Sequence, residues 1–234
     1  MTAADGTVVR LARVQKSFAA PAGPRRVLDG LDLTVVSGEI VAVAGRSGSG
    51  KTTLLTILAG WEEPDAGTAV VLGVDAGDRP RPWQELAVLP QSLGLLEELT
   101  VAENIALPLR LDTTPGAGDP DTLMRQLGVD HLADRYPSEV SLGEQQRTAL
   151  ARAVVVRPRL LLADEPVAHQ NVEWAEAMMF VLRRLADGGT ACVLASHNRA
   201  ALDGADRVLE LHAGRLHSDR ERDHIGDVGD SGST

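Results

Sequence analysis

The feature that most constrains this chain is one octapeptide, Gly-Arg-Ser-Gly-Ser-Gly-Lys-Thr, at residues 45–52. It matches G-x-x-x-x-G-K-[ST], a loop that cradles phosphate groups between a strand and a helix. The apolar run 39–44 precedes it and predicts a buried strand, and the apolar segment 53–59 follows and predicts a helix that Gly60 ends. Strand, loop and helix stand in the order that the motif requires, which favours a phosphate loop over a chance glycine-rich turn.

Each residue type in this loop has a physical reason to be there. Glycines let backbone N–H groups face phosphate oxygens with no Cβ in between, and the helix start adds free N–H groups and a dipole. Lys51 supplies a charge for the β- and γ-phosphates, and Thr52 supplies a hydroxyl for Mg²⁺. The predicted nucleotide-binding residues are Gly45, Arg46, Ser47, Gly48, Ser49, Gly50, Lys51, Thr52 and Thr53.

Composition narrows the class of protein. The 234 residues, 44% hydrophobic and 24% charged, suit a globular chain of one large domain or two small ones. The net charge of −10 argues against a nucleic-acid partner, because it implies no basic face. No apolar run approaches the ~20 residues of a membrane span, and the N-terminus lacks the pattern of a signal peptide. We expect a cytoplasmic protein, with its single cysteine, Cys192, buried as a small hydrophobic residue.

Strands alternate with helices along most of the chain. Residues 7–14 alternate like an edge strand, and a Pro- and Gly-rich loop at 19–26 leads to a second alternating segment at 27–36. Further segments predict strands at 68–72, 86–89, 160–163 and 191–195, and helices at 121–128, 144–155 and 172–186. This order predicts an α/β fold whose parallel sheet is buried on both faces. The polar, acidic segment 217–234 predicts a disordered tail.

Two carboxylates follow the apolar strand 160–163. At the C-terminal edge of a parallel strand, Asp164 can reach Mg²⁺ through water, and Glu165 lies beyond it, where it can polarise an attacking water. The alternative is an acidic strand end that faces solvent, and by themselves the two interpretations are equally good. The presence of Lys51 in the same chain favours the catalytic one.

The segment Val-Ser-Leu-Gly-Glu-Gln-Gln-Arg at 140–147 begins a predicted helix. Ser141 has the position of an N-cap, and Glu144 completes a capping box. The segment is either an ordinary helix start or a second anion site, since Ser and Gly at a helix N-terminus favour phosphate. His197 and Gln91 each follow an apolar strand, and alone neither is more than a polar surface residue.

In this order, the segments resemble the nucleotide-binding domain of ATP-binding-cassette (ABC) proteins over about residues 7–216. Many nucleotide triphosphatases share the phosphate loop, whereas Ser-x-Gly-Glu-Gln-Gln-Arg is specific to ABC proteins. The resemblance implies a P-loop NTPase fold with a mainly parallel core sheet, an antiparallel β subdomain and an inserted α-helical subdomain at about 92–152. The ABC domain would occupy residues 1–216, and the tail residues 217–234.

The resemblance also implies ATP and Mg²⁺ as cofactors. Phe18 would stack on adenine, while Ser141 and Gly143 would bind the γ-phosphate that the opposite subunit holds. Glu144, in the same segment, is the remaining predicted cofactor-binding residue. The matching positions for Mg²⁺ are those of Thr52, Gln91 and Asp164.

For catalysis, the resemblance makes Glu165 the general base and His197 the switch histidine. Gln91 would face the membrane partner as well as the metal.

Residues 27–33 and 95–109 look like the ABC group of lipoprotein release, macrolide export and cell division. The resemblance implies an ATPase that converts ATP and water to ADP and phosphate, and powers a separate integral membrane permease through ATP-driven dimer closure. Its partners would be that permease and a second ATP-binding subunit, in a homodimer or a heterodimer, without nucleic acid. It would lie at the cytoplasmic face of the plasma membrane, peripheral through the permease.

Two positions depart from the family pattern. Leu142 stands where the family has the first of two glycines, and Asn171 stands in place of an aspartate. Both lie in parts that act across the dimer interface, so we expect intact binding of ATP and Mg²⁺ and an altered hydrolysis rate. The alternatives are a low-turnover, nucleotide-gated regulatory ABC module and a soluble ABC protein of ribosomes or chromosomes. A single domain without a coiled-coil insertion disfavours the second.

Overall fold

A computed structural model describes residues 6–21, 23–78, 81–111 and 116–218. Its strands are β1 Thr7–Phe18, β2 Arg25–Val36, β3 Ile40–Ala44, β4 Ala66–Val71, β5 Val74–Asp75, β6 Leu86–Leu89, β7 Leu160–Asp164, β8 Ala191–Ala195, β9 Arg207–His212 and β10 Arg215–Ser218. Its helices are α1 Lys51–Leu58, α2 Val101–Leu111, α3 Pro120–Gln126, α4 Leu142–Val154, α5 Val172–Asp187 and α6 Arg199–Asp203. Short 3₁₀ turns lie at Asp130–Leu132 and Pro137–Glu139.

The larger sheet has the strand order β10-β9-β3-β8-β7-β6. The strands from β9 to β6 are parallel, and β10 joins the edge antiparallel to β9. Every residue of β3, β7 and β8 is buried, which explains why these strands read as continuous apolar runs. The predicted α/β class and the parallel sheet are confirmed.

The smaller sheet is antiparallel, with the order β2-β1-β4-β5. The prediction of an edge strand at 7–14 is wrong, because β1 pairs with β2 on one side and β4 on the other. Alternation shows that one face of a strand is buried, but it does not show how many neighbours the strand has. The predicted loop 19–26 is also shorter, since Arg25 and Arg26 belong to β2 and Arg25 pairs with Phe18.

Two apolar cores lie on the two sides of the larger sheet. One contains α1 and the inner faces of both sheets, with Ile57 and Leu31 among its fully buried side chains. The other joins the opposite face of the sheet to α2, α4 and α5 and includes Leu150 and Cys192. Burial raises the pKa of the Cys192 thiol to about 12, so this residue is a protonated, apolar core residue as predicted.

The segment after Gln91 is fastened by two buried polar side chains. Arg152 of α4 donates to the carbonyl oxygens of Gly94 (2.7 Å) and Leu93 (2.8 Å), and burial lowers its pKa. Asn104 of α2 donates to three carbonyl oxygens of residues 96–100 at 2.9–3.1 Å. The backbone carbonyl groups of this loop therefore have hydrogen-bond donors even though the loop belongs to neither a sheet nor a helix.

At the C-terminal end, β9 and β10 extend the larger sheet beyond the elements that the sequence predicted. β10 includes His217 and Ser218, the first two residues of the predicted tail, and residues 219–234 lie outside the described residues. In the described part of the chain, none of the helices has the length and apolar character to cross a membrane.

Gly60 gives a test of how tightly α1 is joined to the smaller sheet. It has φ +74°, and a Cβ placed on it overlaps the carbonyl oxygen of Ala76. Gly30 has nearly the same φ, +71°, with open space around its Cβ position. We expect Gly30→Ala to cost about 1–2 kcal/mol from backbone strain alone, and Gly60→Ala about 2–5 kcal/mol. Urea unfolding of both variants measures the difference, and equal losses would contradict the steric explanation.

Candidate nucleotide-binding and catalytic site

The phosphate loop connects the buried strand β3 to α1, which begins at Lys51, two residues earlier than predicted. Gly50 is the N-cap residue, has a left-handed conformation and offers no side chain to the helix, so the first N–H groups of α1 have no side-chain cap. The Lys51 ammonium donates to the carbonyl oxygens of Gly45 (2.7 Å) and Arg46 (3.3 Å). This geometry keeps a positive charge over a turn of backbone donors.

Two further observations show that this loop suits a phosphate group as its ligand. The Ser49 hydroxyl is buried without a hydrogen-bond partner in the described residues. A Cβ on Gly45 would lie 2.6 Å from the Leu211 carbonyl oxygen and 2.7 Å from Ser49 Oγ, so a side chain there would fill the cradle. Free donors, a fixed cation and an open cradle are what an anionic ligand needs.

The loop forms one wall of a cavity of about 1120 Å³, large enough for a nucleotide. The predicted site residues outside the loop that also line it are Phe18, Gln91, Asp164, Glu165 and His197. Phe18 is 41% exposed at the end of β1 and lines the cavity, with Lys16 Nζ 5.5 Å from the ring centroid. An exposed aromatic face fits stacking on a base.

Oxygen donors from two elements meet beside the loop. Thr52 Oγ1 of α1 donates to Asp164 Oδ2 at the end of β7 over 2.7 Å, and the Asp164 side chain is almost fully buried. The exposed Gln91 lines the same cavity. A hydroxyl, a carboxylate and an amide oxygen fit Mg²⁺, which commonly takes one or two carboxylates and completes its shell with water and substrate phosphates.

Glu165 has a strained backbone that its neighbours hold in place. Its φ is +51°, in the left-handed region that non-glycine residues seldom adopt. The Glu165 N–H donates to the Ala195 carbonyl oxygen (2.8 Å), and Gln146 Nε2 donates to the Glu165 carbonyl oxygen (2.7 Å). Its Oε1 lies 2.6 Å from Nδ1 of the exposed His197. Strain of this kind is typical of functional positions.

The sequence interpretation missed two residues of this site, Ser196 and Gln146. Ser196 is fully buried, and its hydroxyl donates to Glu165 Oε2 over 3.0 Å. Ser196 directly precedes His197 in the sequence. A hydroxyl at the end of an apolar strand could have indicated a buried residue that hydrogen-bonds at that edge of the sheet. Gln146 belongs to the 140–147 segment, but its contact with the loop after β7 depends on the packing of α4.

The predicted capping box at the start of α4 is confirmed. Ser141 Oγ accepts from the Glu144 N–H, and the Ser141 N–H and hydroxyl both donate to Glu144 Oε2 over 2.8 Å. These hydrogen bonds lower the pKa of Glu144. Of residues 141–144, only Leu142 lines the cavity of the phosphate loop. Ser141, Gly143 and Glu144 are therefore predicted site residues that do not line this cavity.

Asn171 and Leu142, the two departures, have distinct local environments. Asn171 is the N-cap of α5, and its side-chain oxygen accepts from the Trp174 N–H over 2.9 Å. An asparagine performs this capping as well as an aspartate does. Leu142 is 49% exposed at the first residue of α4, so its side chain makes the helix start bulkier without supporting the core.

The family model described as ABC transporter matches residues 28–168. This chain belongs to the ABC transporter family. It is 37% identical over 219 residues to the lipoprotein-releasing system ATP-binding protein LolD of Xanthomonas campestris pv. campestris, covering 89% of this chain and 92% of LolD. It is also 37% identical over 229 residues to the sulfate/thiosulfate import ATP-binding protein CysA of Methylococcus capsulatus, covering 94% of this chain.

This ABC chain spans 64% of the length of that CysA protein, and 55% of the CysA protein of Mycobacterium tuberculosis, to which it is 39% identical. Among solved structures, it is similar to the dimeric, post-hydrolysis ATP-binding cassette MJ0796 bound to ADP and phosphate. The TM-score is 0.80 at 26% identity, over 89% of this chain and 96% of MJ0796. The resemblance and the P-loop NTPase fold are thereby confirmed, and the relatives include the predicted lipoprotein-release group.

Lys51 provides a direct test of the phosphate cradle. We expect Lys51→Ala to weaken ATP binding roughly 10- to 100-fold, because a hydrogen bond to a charged group contributes about 1.5–3 kcal/mol. Titration with a fluorescent ATP analogue measures the dissociation constant. Arg199→Ala is the control, since it removes one positive charge from a 92% exposed side chain on α6. Equal affinities of the Lys51 and Arg199 variants would contradict the assignment.

Proposed function

We propose that this chain is the ATP-binding and ATP-hydrolysing subunit that powers a separate membrane permease through ATP-driven closure of a dimer. The observation that carries the proposal is the convergence of three pairs at one cavity. They are Lys51 with the loop carbonyls, Thr52 with Asp164, and Glu165 with His197. The carboxyl ends of adjacent parallel strands hold these groups, which is the usual location of ligands in open α/β sheets.

In this proposal the loop and Lys51 bind the β- and γ-phosphates of ATP, and Phe18 stacks on the adenine. Thr52, Gln91 and Asp164 would hold Mg²⁺, which neutralises charge on the phosphate oxygens when it is bound. The Thr52–Asp164 hydrogen bond supports this role, because it holds the two ligands from α1 and β7 next to each other.

For hydrolysis, Glu165 accepts a proton from water as the water oxygen bonds to the γ-phosphorus. The bond between that phosphorus and the bridging oxygen breaks, and the oxygen leaves with the electron pair as part of ADP. The products are ADP and phosphate. The contact of 2.6 Å with His197 Nδ1 supports this role, because it restrains the carboxylate at the cavity.

A second subunit completes the site in this proposal. Ser141 is exposed and Gly143 and Glu144 are half-buried at the start of α4, where Ser141 and Gly143 would approach the γ-phosphate held by the other subunit. A helix start with a Ser N-cap suits a phosphate oxygen. The second subunit is a copy of this chain or a related chain. The similarity to dimeric cassettes supports the arrangement.

Glu165 distinguishes turnover from nucleotide binding. We expect Glu165→Gln to bind ATP but to lose at least about 100-fold in hydrolysis rate, since an amide is a poor base. Size-exclusion chromatography with Mg-ATP should then show a two-subunit species that the wild type does not accumulate. Glu176→Gln, the same charge change at an exposed residue of α5, is the control.

The opposite results would count against the proposal in different ways. Wild-type hydrolysis by Glu165→Gln would exclude Glu165 as the base. If the wild-type protein binds Mg-ATP but hydrolyses it no faster than Glu165→Gln does, the result would favour the regulatory alternative. The exposed Leu142 is the structural feature that suggests this alternative.

The permease partner is supported by an apolar groove that adjoins the nucleotide cavity. A second cavity of about 470 Å³ is lined by apolar side chains, including Leu55, Trp61 and Val88, and it shares Thr52, Gln91 and Asp164 with the first. A partner seated there would contact the same residues that are proposed to hold Mg²⁺. We propose that the ABC domain spans residues 1–216, with an inserted helical subdomain at about 92–152 whose first residue, Ser92, lines this groove.

Trp61 tests the docking of this permease, which would hold the chain at the cytoplasmic face of the plasma membrane. Its side chain is 64% exposed beside the groove. We expect Trp61→Ala to weaken docking by about 2 kcal/mol or more, as for a buried interface tryptophan. Membrane fractionation of the native host should then move the protein to the supernatant, with its ATPase activity retained. Phe180→Ala, at an exposed aromatic residue of α5, is the control. Membrane retention of the Trp61 variant would contradict this docking surface.

A further inference from the structure

We infer that Ser196 is a positioning residue for ATP hydrolysis, because its hydroxyl fixes the orientation of the Glu165 carboxylate. The inference rests on the proposed role of Glu165 as the general base. The two oxygens of this carboxylate have different partners. Oε2 accepts from Ser196 Oγ (3.0 Å) and, over a longer 3.5 Å, from the His197 N–H, whereas Oε1 lies against His197 Nδ1 (2.6 Å). The serine thus provides the shortest hydrogen bond to Oε2 of a carboxylate that lines the cavity.

The Ser196 hydroxyl both accepts and donates a hydrogen bond, which fixes the direction of its proton. Its oxygen accepts from the Asn198 N–H over 3.1 Å, and its proton goes to Glu165. The Ser196 N–H donates to the Val43 carbonyl oxygen (3.1 Å), which attaches the residue to β3, the strand that leads into the phosphate loop. The serine is therefore fixed to the same rigid sheet as the loop. Its hydrogen bond to Glu165 then fixes the carboxylate relative to that sheet.

Ser196 and His197 differ in how firmly they can hold Glu165. The Ser196 residue is 0% exposed, whereas the His197 side chain is 77% exposed and has room to turn away. The Glu165 side chain is 13% exposed, so loss of the serine hydroxyl would leave the mostly buried Oε2 with only the longer contact of 3.5 Å to the His197 N–H. We expect the carboxylate then to rotate away from the orientation that proton transfer needs.

Steady-state ATPase kinetics of Ser196→Ala test this role. We expect kcat to fall about tenfold, a change of about 1.4 kcal/mol in the barrier, with KM for ATP within about twofold of wild type. Ser196→Thr, which keeps a hydroxyl, should recover most of kcat. Should Ser196→Ala not fold, Ser196→Cys replaces it, because a thiol has a similar shape and is a weak donor. Wild-type kcat in a folded variant without the hydroxyl would overturn the inference.

Thr190 offers a matched control at the other end of β8. Its hydroxyl is also buried and donates to the Pro158 carbonyl oxygen over 2.5 Å. Thr190 directly precedes β8, whereas the nucleotide cavity lies at the end of the strand that Ser196 follows. Thr190→Ala should lower the midpoint of urea unfolding and leave kcat unchanged. If the two alanine variants lose stability and kcat in parallel, Ser196 has only a structural role, which overturns the inference.

A Glu165→Gln background separates this inference from the proposed function. If Ser196 acts through Glu165, Ser196→Ala should cause no further loss in the residual rate of Glu165→Gln. The same tenfold loss in both backgrounds would overturn the positioning role and leave Glu165 as the base. Wild-type activity of Glu165→Gln alone would instead overturn the proposed base, and the Ser196 inference with it.

Discussion

Parallel pairing of β3, β8 and β7 sets three strand ends side by side at one edge of the larger sheet. Val43 and Asp164 are both register partners of Ala195, one from each neighbouring strand. The phosphate loop leaves this edge after β3, the two carboxylates stand at the end of β7, and Ser196 and His197 follow β8. The site therefore depends on hydrogen bonds in the middle of the sheet, where burial on both faces holds the strands in register.

A second consequence of this pairing is the restraint on Glu165. The backbone of Glu165 departs from the strand into a left-handed conformation, and its N–H still donates to Ala195 of β8. Gln146 of α4 donates to the carbonyl oxygen of Glu165, so the helix that Ser141 caps is connected directly to the site. A movement of α4 would thus change the position of the candidate base.

Local chemistry predicted several features before any fold was known. The capping box of Ser141 and Glu144 was predictable because both partners lie within one helical turn. The edge position assigned to β1 was wrong, and the pairing of Phe18 with Arg25 was missed, because alternation reports one buried face and not the neighbouring strands. The contacts of Ser196 were also missed, since its partner Glu165 lies 31 residues away, directly after another strand.

The sequence by itself determined the phosphate loop, the buried strands and the identity of most candidate site residues. The loop and the strands depend on neighbours within a few residues, where residue type and spacing fix the chemistry. The roles of Phe18, Gln91, Ser141, Gly143 and His197 came instead from the resemblance to ABC proteins. Only the tertiary structure decided that Thr52 meets Asp164, that Glu165 has two different partners for its two oxygens, and that an apolar groove adjoins the nucleotide cavity. These contacts depend on strand order and helix packing, which arise from burial shared by distant segments and have no local pattern in the chain.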